Sequence, residues 1–549
     1  MPADTRIPDT SLWSHTSMTA ALAGASIGYQ TTMAEFDAIP EKDLWYKYHS
    51  QPYLVSFSFA PVQDLIKSSR KMRDFWAGSW ILPYLSATIS WELAKIYGAD
   101  RLIYLSLFHQ PLIDNWLLER YPDFDKWIKP PATDALLTAG FPNVLVLVLP
   151  KDKVAKAMQT AKQVLKETWQ DLGNKVFKKV GWGQEFSSTA NSWDGWLECQ
   201  WQHYWTGLPI GNNKDSFKQG YTGAKNETYF QPWVDNLNET YGLTNSDREL
   251  TNHTRERKLF QPAELNFLKA TSKYPANIGS WWGYIFDATR LSLTSVKNAR
   301  NWQLPTVFST RSTVLGLGAA VHHLPTDWAP EKKVKEFWER PNLLFNGSEQ
   351  LNATEVVKRG LHHILPQLLG RDDLAIAYPN LTSGVAGHLK INNDKVTAHY
   401  RSACAKVVDE NSDRLDRRWQ DNNKWGIPWA EGKDLNLQGF HPRLLNAGWL
   451  VEDLGIDPTK TQELKDCRTK LNTAICKFYP KNNPTDWYVL AAGDGDGMSD
   501  WLKGEKLAPY SEYIASSLSP SGELAEFLKL GKRMGPSTHN ALSRALLNF

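Results

Sequence analysis

Between Tyr53 and Phe59 the chain reads YLVSFSF, an uncharged apolar run that predicts a buried strand. Pro61 follows and opens a long stretch with helical recurrence of apolar residues, VQDLIKSSRKMRDFWAGSWILPYLSATISWELAKIYG. A short strand is expected at Leu102 to Leu105 and a clearer one at Val144 to Leu149. Next comes a helix in which Val154, Met158, Ala161, Leu165 and Trp169 form one stripe, then a last strand around Leu197 to Trp205. The order βαββαβ predicts an α+β fold: an antiparallel sheet with two helices on one face, the ferredoxin-like or polymerase-palm plan.

Around this core the pattern is less regular. In residues 1–48, Thr10 or Ser11 can cap a short helix carrying Leu12, Trp13, Met18 and Leu22. Residues 49–209 hold the predicted first palm, and 210–280, rich in Asn, Thr, Lys and Gly, read as an insertion. From 281 to 480 the pattern is mainly helical, as in Glu355 to Leu369, where Val356, Val357, Leu361, Ile364 and Leu368 share a face. In 481–549 a buried strand at Trp487 to Ala492 precedes a Gly/Asp turn and a helix start at Met498 to Lys503, the opening of a second palm.

Composition narrows the class. The 549 residues are 42% apolar and 22% charged, which fits a globular protein with sizeable cores. Lys and Arg number 62 against 59 Asp and Glu, so any contact with nucleic acid must come from local patches. Cys199, Cys404, Cys467 and Cys476 form no C-x-x-C pair, which fits a reducing cytosol. The start has no signal-peptide layout and no run has the 18 or so apolar residues of a membrane span, so a cytoplasmic protein without membrane contact is expected. Sequons at Asn226, Asn238, Asn252, Asn346, Asn352 and Asn380 then read as chance matches. Core packing is the expected use of the 25 tryptophans, with sugar or base stacking as the alternative.

The sharpest chemical signal is GDGDGM, where Asp494 and Asp496 follow an apolar strand among Gly493, Gly495 and Gly497. Two carboxylates at a strand end can hold Mg²⁺ or Mn²⁺, and small neighbours let the backbone approach the phosphates of ATP, as two-metal nucleotidyl transfer requires. Gly495, Gly497 and Met498 are the nucleotide-binding candidates beside that pair. A calcium loop starting at Asp494 fails, because Met498 takes an oxygen-ligand position, Ser499 stands where Gly is needed, and a strand precedes it. A solvated Gly/Asp turn stays open as the plain alternative.

The first strand-turn-helix also lays over the last without a gap, pairing Asp64, Leu65, Ile66 and Lys67 with Asp500, Trp501, Leu502 and Lys503. Ser58 and Ala60 then occupy the places of Asp494 and Asp496, so the first copy lacks the carboxylates, and Ser58 joins the nucleotide-binding candidates. Basic runs at Lys67, Arg70, Lys71 and Arg73, and at Lys151, Lys153, Lys156, Lys162 and Lys166, read as solvated faces before RNA contacts. The pairs His322-His323 and His362-His363 have no second ligand cluster at zinc spacing.

At FSFAPVQDLIKSSRKMRDFWAGSWILPYLS the sequence resembles the large, palm-containing subunit of type III-B CRISPR effector complexes. PADTRIPDTSLWSHTSMTAALAGA, YLSLFHQPLIDNW, FPNVLVLVLP, NATEVVKRGL and WYVLAAGDGDGMSDWLKGE extend the resemblance along most of the chain. It implies an antiviral role with guide RNA, target RNA and other effector subunits as partners. It also implies a composite ATP site between two palms, the second of which makes cyclic oligoadenylate. Asp494 and Asp496 look like the first metal-binding segment of that second palm.

Three departures shape what is expected of this chain. No Gly-Gly pair occurs, so the GGDD hairpin is missing, the second palm reads as partial, and no complete catalytic set is expected. No His-Asp dipeptide occurs, and PADTRIPDTSLWSH resembles only the tail of an HD nuclease domain. Ser309 and Ser312 stand where relatives place zinc-knuckle cysteines, so no zinc is expected. A non-catalytic scaffold holding guide RNA and partner subunits is the alternative function.

Overall fold

The computed structural model describes residues 10–28, 50–138, 140–182, 191–210, 282–299, 307–339, 345, 349–371, 386–391, 394–412, 440, 442–454, 461–486, 497–504, 506–522, 525, 528–529, 531–532 and 534–546. The chain forms two compact units. One comprises residues 1–65, 79–357 and 495–549, and the other 66–78 and 358–494.

The first unit opens with α1 (Leu12–Ile27), whose N-cap Ser11 accepts a hydrogen bond from the Ser14 amide at 3.2 Å. Strand β1 (Pro52–Ala60) is followed by α2 (Gln63–Lys67) and α3 (Met72–Tyr97). The single long helix expected after Pro61 is therefore broken. The Ser69 amide turns back to the Lys67 carbonyl at 2.7 Å and the Ser69 hydroxyl bonds the Ile66 carbonyl, so local serine bonds end α2. Then come β2 (Leu102–Tyr104), α4 (Pro111–Arg120), β3 (Val144–Pro150), α5 (Lys151–Val180) and β4 (Gln202–Pro209).

The strand expected at Leu197 to Trp205 begins later than its apolar residues suggest. Asp194–Cys199 is a short helix whose Leu197 packs so closely on α5 that a Cβ at Gly173 would meet its side chain at 2.5 Å. Leu197 is buried by helix packing, not by a strand.

The four strands lie in the order β2-β3-β1-β4, every neighbouring pair antiparallel. Ser56 sits opposite Val146 on one side and Thr206 on the other, which fixes the alternation of faces. On the face of Val55, α5 packs down, and Val154 comes close enough to Gly207 that a Cβ there would touch both Val55 and Val154. All five residues of the predicted α5 stripe are buried.

The opposite face is covered as well. Leu54, Val146 and Val148 form a core with Met18 and Ala25 of α1 and with Trp282, Ile285 and Phe286 of α6 (Trp282–Asn298). The Thr206 and Ser292 hydroxyls add a 2.9 Å hydrogen bond between β4 and α6. Helices thus flank both faces, where the sequence pattern predicted one, because α6 lies far along the chain from the strands it covers. Arg101, at the start of β2, donates from its guanidinium to the Ala21 carbonyl of α1, and it can lie there only because residue 24 has no Cβ.

Helix α7 (Ala353–Gly360) is completely buried. The single helix expected from Glu355 to Leu369 is interrupted by a 3-10 turn at Leu361–His363, and Leu365–Leu369 starts afresh with Pro366 in its first turn. The second unit has its own helical core. In it α8 (Asp394–Glu410), α9 (Ala447–Asp453) and α10 (Thr461–Cys476) bury Tyr400, Cys404, Val407, Leu450, Leu471 and Ile475 together. α11 (Met498–Lys503) and α12 (Pro536–Ala545) return to the first unit, where Leu502, Leu507, Met534 and Leu542 pack on the Leu54 face of the sheet.

Candidate functional site

Asp494, Gly495 and Asp496, with the predicted strand at Trp487 to Ala492, lie outside the described residues. Gly497 and Met498 are described. Gly497 caps α11 in the left-handed region, at φ 69° and ψ 29°. A Cβ at Gly497 would collide with Lys506 Nζ and sit 3.0 Å from Asp500 Oδ2, and those two side chains form an ion pair at 4.0 Å. Only glycine fits there without strain. Met498 is 39% exposed.

Ser58 sits in β1 on the face of Leu54, fully buried, and its hydroxyl has no hydrogen-bond partner among the described residues. The two segments paired in sequence do not bury the same register positions. Leu65 is 2% exposed whereas Trp501 is 39% exposed, and the first-turn aspartates Asp64 and Asp500 are the feature both helices keep.

At the zinc-knuckle position a hydrogen-bond network is built around one carboxylate. Glu355 Oε2 accepts from Ser312 Oγ at 2.6 Å and from the Asn352 amide at 2.9 Å, while Oε1 accepts from the Leu315 amide at 3.1 Å. The Asn352 side chain returns the bond, accepting from the Glu355 amide at 3.0 Å, which makes a reciprocal N-terminal cap for α7. The Ser312 hydroxyl also accepts from the Val314 amide at 3.1 Å, so one serine and one glutamate hold the turn. Ser309 Oγ is buried without a partner among the described residues. Among the described residues no group of three or more His, Cys, Asp and Glu side chains is placed to hold a metal ion. Asn352 is 1% exposed, so this sequon is inaccessible in the fold.

Of the two histidine pairs, His322 is buried and His323, His362 and His363 are half-buried. Burial, then the neighbouring Arg73 guanidinium, push the His362 pKa down to about 3, and the Arg73 Nη1 lies 3.5 Å from its ring. Burial also lowers the pKa of His322, which is 1% exposed. Of the basic runs, Lys67, Arg70, Lys151, Lys156, Lys162 and Lys166 are exposed, Lys153 pairs with Asp152 at 2.8 Å and Lys166 with Glu198 at 3.1 Å. Apart from Arg73, which lies against His362, these are solvated faces.

Sequence reasoning missed a buried charged cluster in the second unit. Arg359 is fully buried and grips Asp74 through two 2.7 Å bonds. Lys358, also fully buried, donates to the Ser68 carbonyl and to Ser69 Oγ at 2.8 Å. The available signal was a Lys-Arg pair in a helix with too few polar neighbours to float on a surface. Several tryptophans are likewise core: Trp80, Trp169 and Trp282 are each 1% exposed, and Trp182 packs among Trp193, Phe337, Trp338 and Phe345, whereas Trp13, Trp127, Trp205, Trp328 and Trp501 are exposed. Among the described residues no helix is long and apolar enough to cross a membrane.

Comparison with known proteins places these features. Residues 54–174 match the family model for the CRISPR-associated protein Cmr2, N-terminal. Over a 568-residue alignment the chain is 26% identical to the CRISPR system Cmr subunit Cmr2 of Pyrococcus furiosus, covering all of this chain and 53% of that protein. It thus spans about half the length of the curated relative it matches. Type III-B Cmr-beta in the apo state aligns with all of this chain and 60% of its own at 14% identity and a TM-score of 0.44. For Cmr-beta bound to cognate target RNA the figures are 61%, 14% and 0.42. The resemblance read from the sequence landmarks is thereby shown: the chain is similar to the type III-B Cmr2 large subunit.

Proposed function

We propose that the chain serves as the large subunit, or a part of it, of an RNA-guided type III-B effector complex in the cytoplasm, and that its four-stranded sheet is a ferredoxin-like palm. The observation that carries this reading is the strand order β2-β3-β1-β4 within a βαββαβ chain order, all antiparallel. Guide RNA, target RNA and other effector subunits are its partners on this reading.

Asp494 and Asp496 are the proposed ligands for Mg²⁺, a hard cation that takes carboxylate oxygens and, when bound, neutralises triphosphate charge. Gly495 and Gly497 leave room for phosphate oxygens beside them, with Met498 at the start of the helix that follows. Nucleotide binding is the activity expected of these residues. ATP binding in Mg²⁺ by the wild type and by Asp494→Ala with Asp496→Ala is the test; equal affinity rejects the site.

A second reading has a specific observation in its favour. Helices α1, α6 and α12 cover the sheet face that carries Ser58, and Ser58 itself is fully buried. A sheet sealed on both faces suits a scaffold that holds RNA and neighbouring subunits without chemistry. Assembly with RNA and partner subunits in the absence of any ATP binding would favour it over the first.

A further inference from the structure

Three elements far apart in sequence meet at one exposed spot on the first unit. Trp13 lies in the first turn of α1, Phe108 and His109 in the turn between β2 and α4, and Arg544 in the last turn of α12. The Arg544 guanidinium stands 4.2 Å from the Phe108 ring centre and 5.6 Å from that of Trp13, and the two rings are 6.3 Å apart at a 48° tilt. His109, in the left-handed region at φ 56°, sets its ring against Phe108 at 4.0 Å. Trp13 is 56% exposed and Phe108 39%.

This is not how a fold disposes of aromatic surface it means to bury. Nor is the cation neutralised: among the described residues Arg544 has no carboxylate partner, and partial burial against the rings lowers its pKa with nothing opposing the shift. Water is removed from the guanidinium without an anion in return. A ligand that supplies both a flat π face and a negative charge a few ångströms away completes such a site.

We propose that Trp13, Phe108 and Arg544 form a stacking site for single-stranded RNA, in which a base lies on the Trp13 indole and the adjoining phosphate meets Arg544. Base-on-aromatic stacking with an arginine at the backbone is the general mode of single-strand binding. The aromatic run of Tyr121, Phe124 and Trp127 also carries an arginine, Arg120, 5.6 Å from the Tyr121 ring centre, but it is interleaved with Asp123 and Asp125, which repel phosphate. The choice of RNA over another nucleic acid rests on the function proposed above; the stacking geometry does not.

The test uses the full chain and a short fluorescein-labelled oligouridine, read by anisotropy across a salt series. Trp13→Ala is expected to weaken binding about tenfold, the scale of one lost stack. Arg544→Gln is expected to reduce the slope of log affinity against log salt by about 0.7, one phosphate contact on a single strand. Photo-cross-linking with 4-thiouridine RNA should tag the peptides holding Trp13 or Phe108. Wild-type affinity and slope in both variants, with cross-links elsewhere, overturns the site while leaving RNA binding itself intact. A wild type that binds an acidic peptide at this patch and no RNA overturns it too, and removes support for an RNA partner. The Asp494→Ala, Asp496→Ala variant separates the two proposals, because it should lose ATP and keep the oligouridine.

Discussion

Arg359 and Asp74 face each other as fork to fork: Nε meets Oδ1 and Nη2 meets Oδ2, each at 2.7 Å, with both side chains buried. The pair joins α7 to the first turn of α3 within the second unit. Two charges out of water are tolerated because each satisfies the other with parallel charge-assisted bonds.

Removing one partner should therefore hurt far more than removing both. Arg359→Ala is expected to cost about 3–5 kcal/mol, since it strands a buried carboxylate, whereas Arg359→Met with Asp74→Leu should recover most of the loss. Urea unfolding midpoints of the two variants check this. A double variant no better than the single one would mean that the pair acts through something other than mutual neutralisation.

The network on Glu355 makes a separate prediction. Glu355→Ala leaves the Ser312 hydroxyl and the Asn352 amide without their acceptor, while the Leu315 amide keeps Ser312 Oγ at 3.3 Å, an expected loss of about 2 kcal/mol or more at about 1–3 kcal/mol per buried orphaned group. Asn352→Ala removes the cap bond to the Glu355 amide and a long 3.4 Å bond from Asn352 Nδ2 to the Leu317 carbonyl, and should cost about 1 kcal/mol. Thermal midpoints in that order, with the glutamate variant clearly the lower, are the expected result.

His539 predicts an acid sensitivity. It is fully buried, accepts from Trp282 Nε1 at 3.1 Å, and packs edge-on to Phe286 with centres 4.5 Å apart. Burial pushes its pKa down to about 4, below the value near 6.5 of an unfolded histidine. The unfolded chain thus takes up the proton first, and this contribution to stability, complete above about pH 6.5, is lost as pH falls towards 4 at up to about 1.4 kcal/mol per pH unit. His539→Gln keeps an acceptor for Trp282 and does not titrate. Its thermal midpoint should drop less than that of the wild type between pH 7 and pH 5; an equal drop would assign the sensitivity to other groups.

Gly497→Ala tests the turn before α11. The left-handed backbone and the crowding by Lys506 and Asp500 set an expected cost of about 1–3 kcal/mol. Adding Lys506→Ala should return part of it by clearing the nearer neighbour. On the function proposed, ATP affinity should fall with Gly497→Ala as the turn shifts, which titration in Mg²⁺ would read.

Much of the sheet was legible from periodicity alone. Strands β1 and β3 match their apolar runs within a residue or two, and α5 buries the five residues of its stripe, because the 2-residue and 3.6-residue periods leave a direct trace in sequence. A cap for α1 at Thr10 or Ser11 was legible for a similarly local reason, and the fold uses Ser11. The family resemblance came from runs of residues, and the comparisons bear it out.

The candidate chemistry is divided in the same way. The residue types of the GDGDGM turn and the serines at 309 and 312 were plain in the sequence, but that Ser312 serves Glu355 could not be seen before the fold brought residues 43 apart together. The helix at Leu197 deceived for the opposite reason: its burial comes from a neighbour, Gly173 of α5, and apolar residues buried by a neighbour look like those buried in a strand.

Local sequence, then, determined which segments become strands and helices, and which residues could carry charge, metal or phosphate. Tertiary structure alone decided what covers the second face of the sheet, that Arg359 finds Asp74 across 285 residues, and that Trp13, Phe108 and Arg544 share one surface. Periodicity records how a segment meets its own nearest layer. The partner that fills that layer is fixed by chain closure over hundreds of residues, and closure leaves no periodic mark.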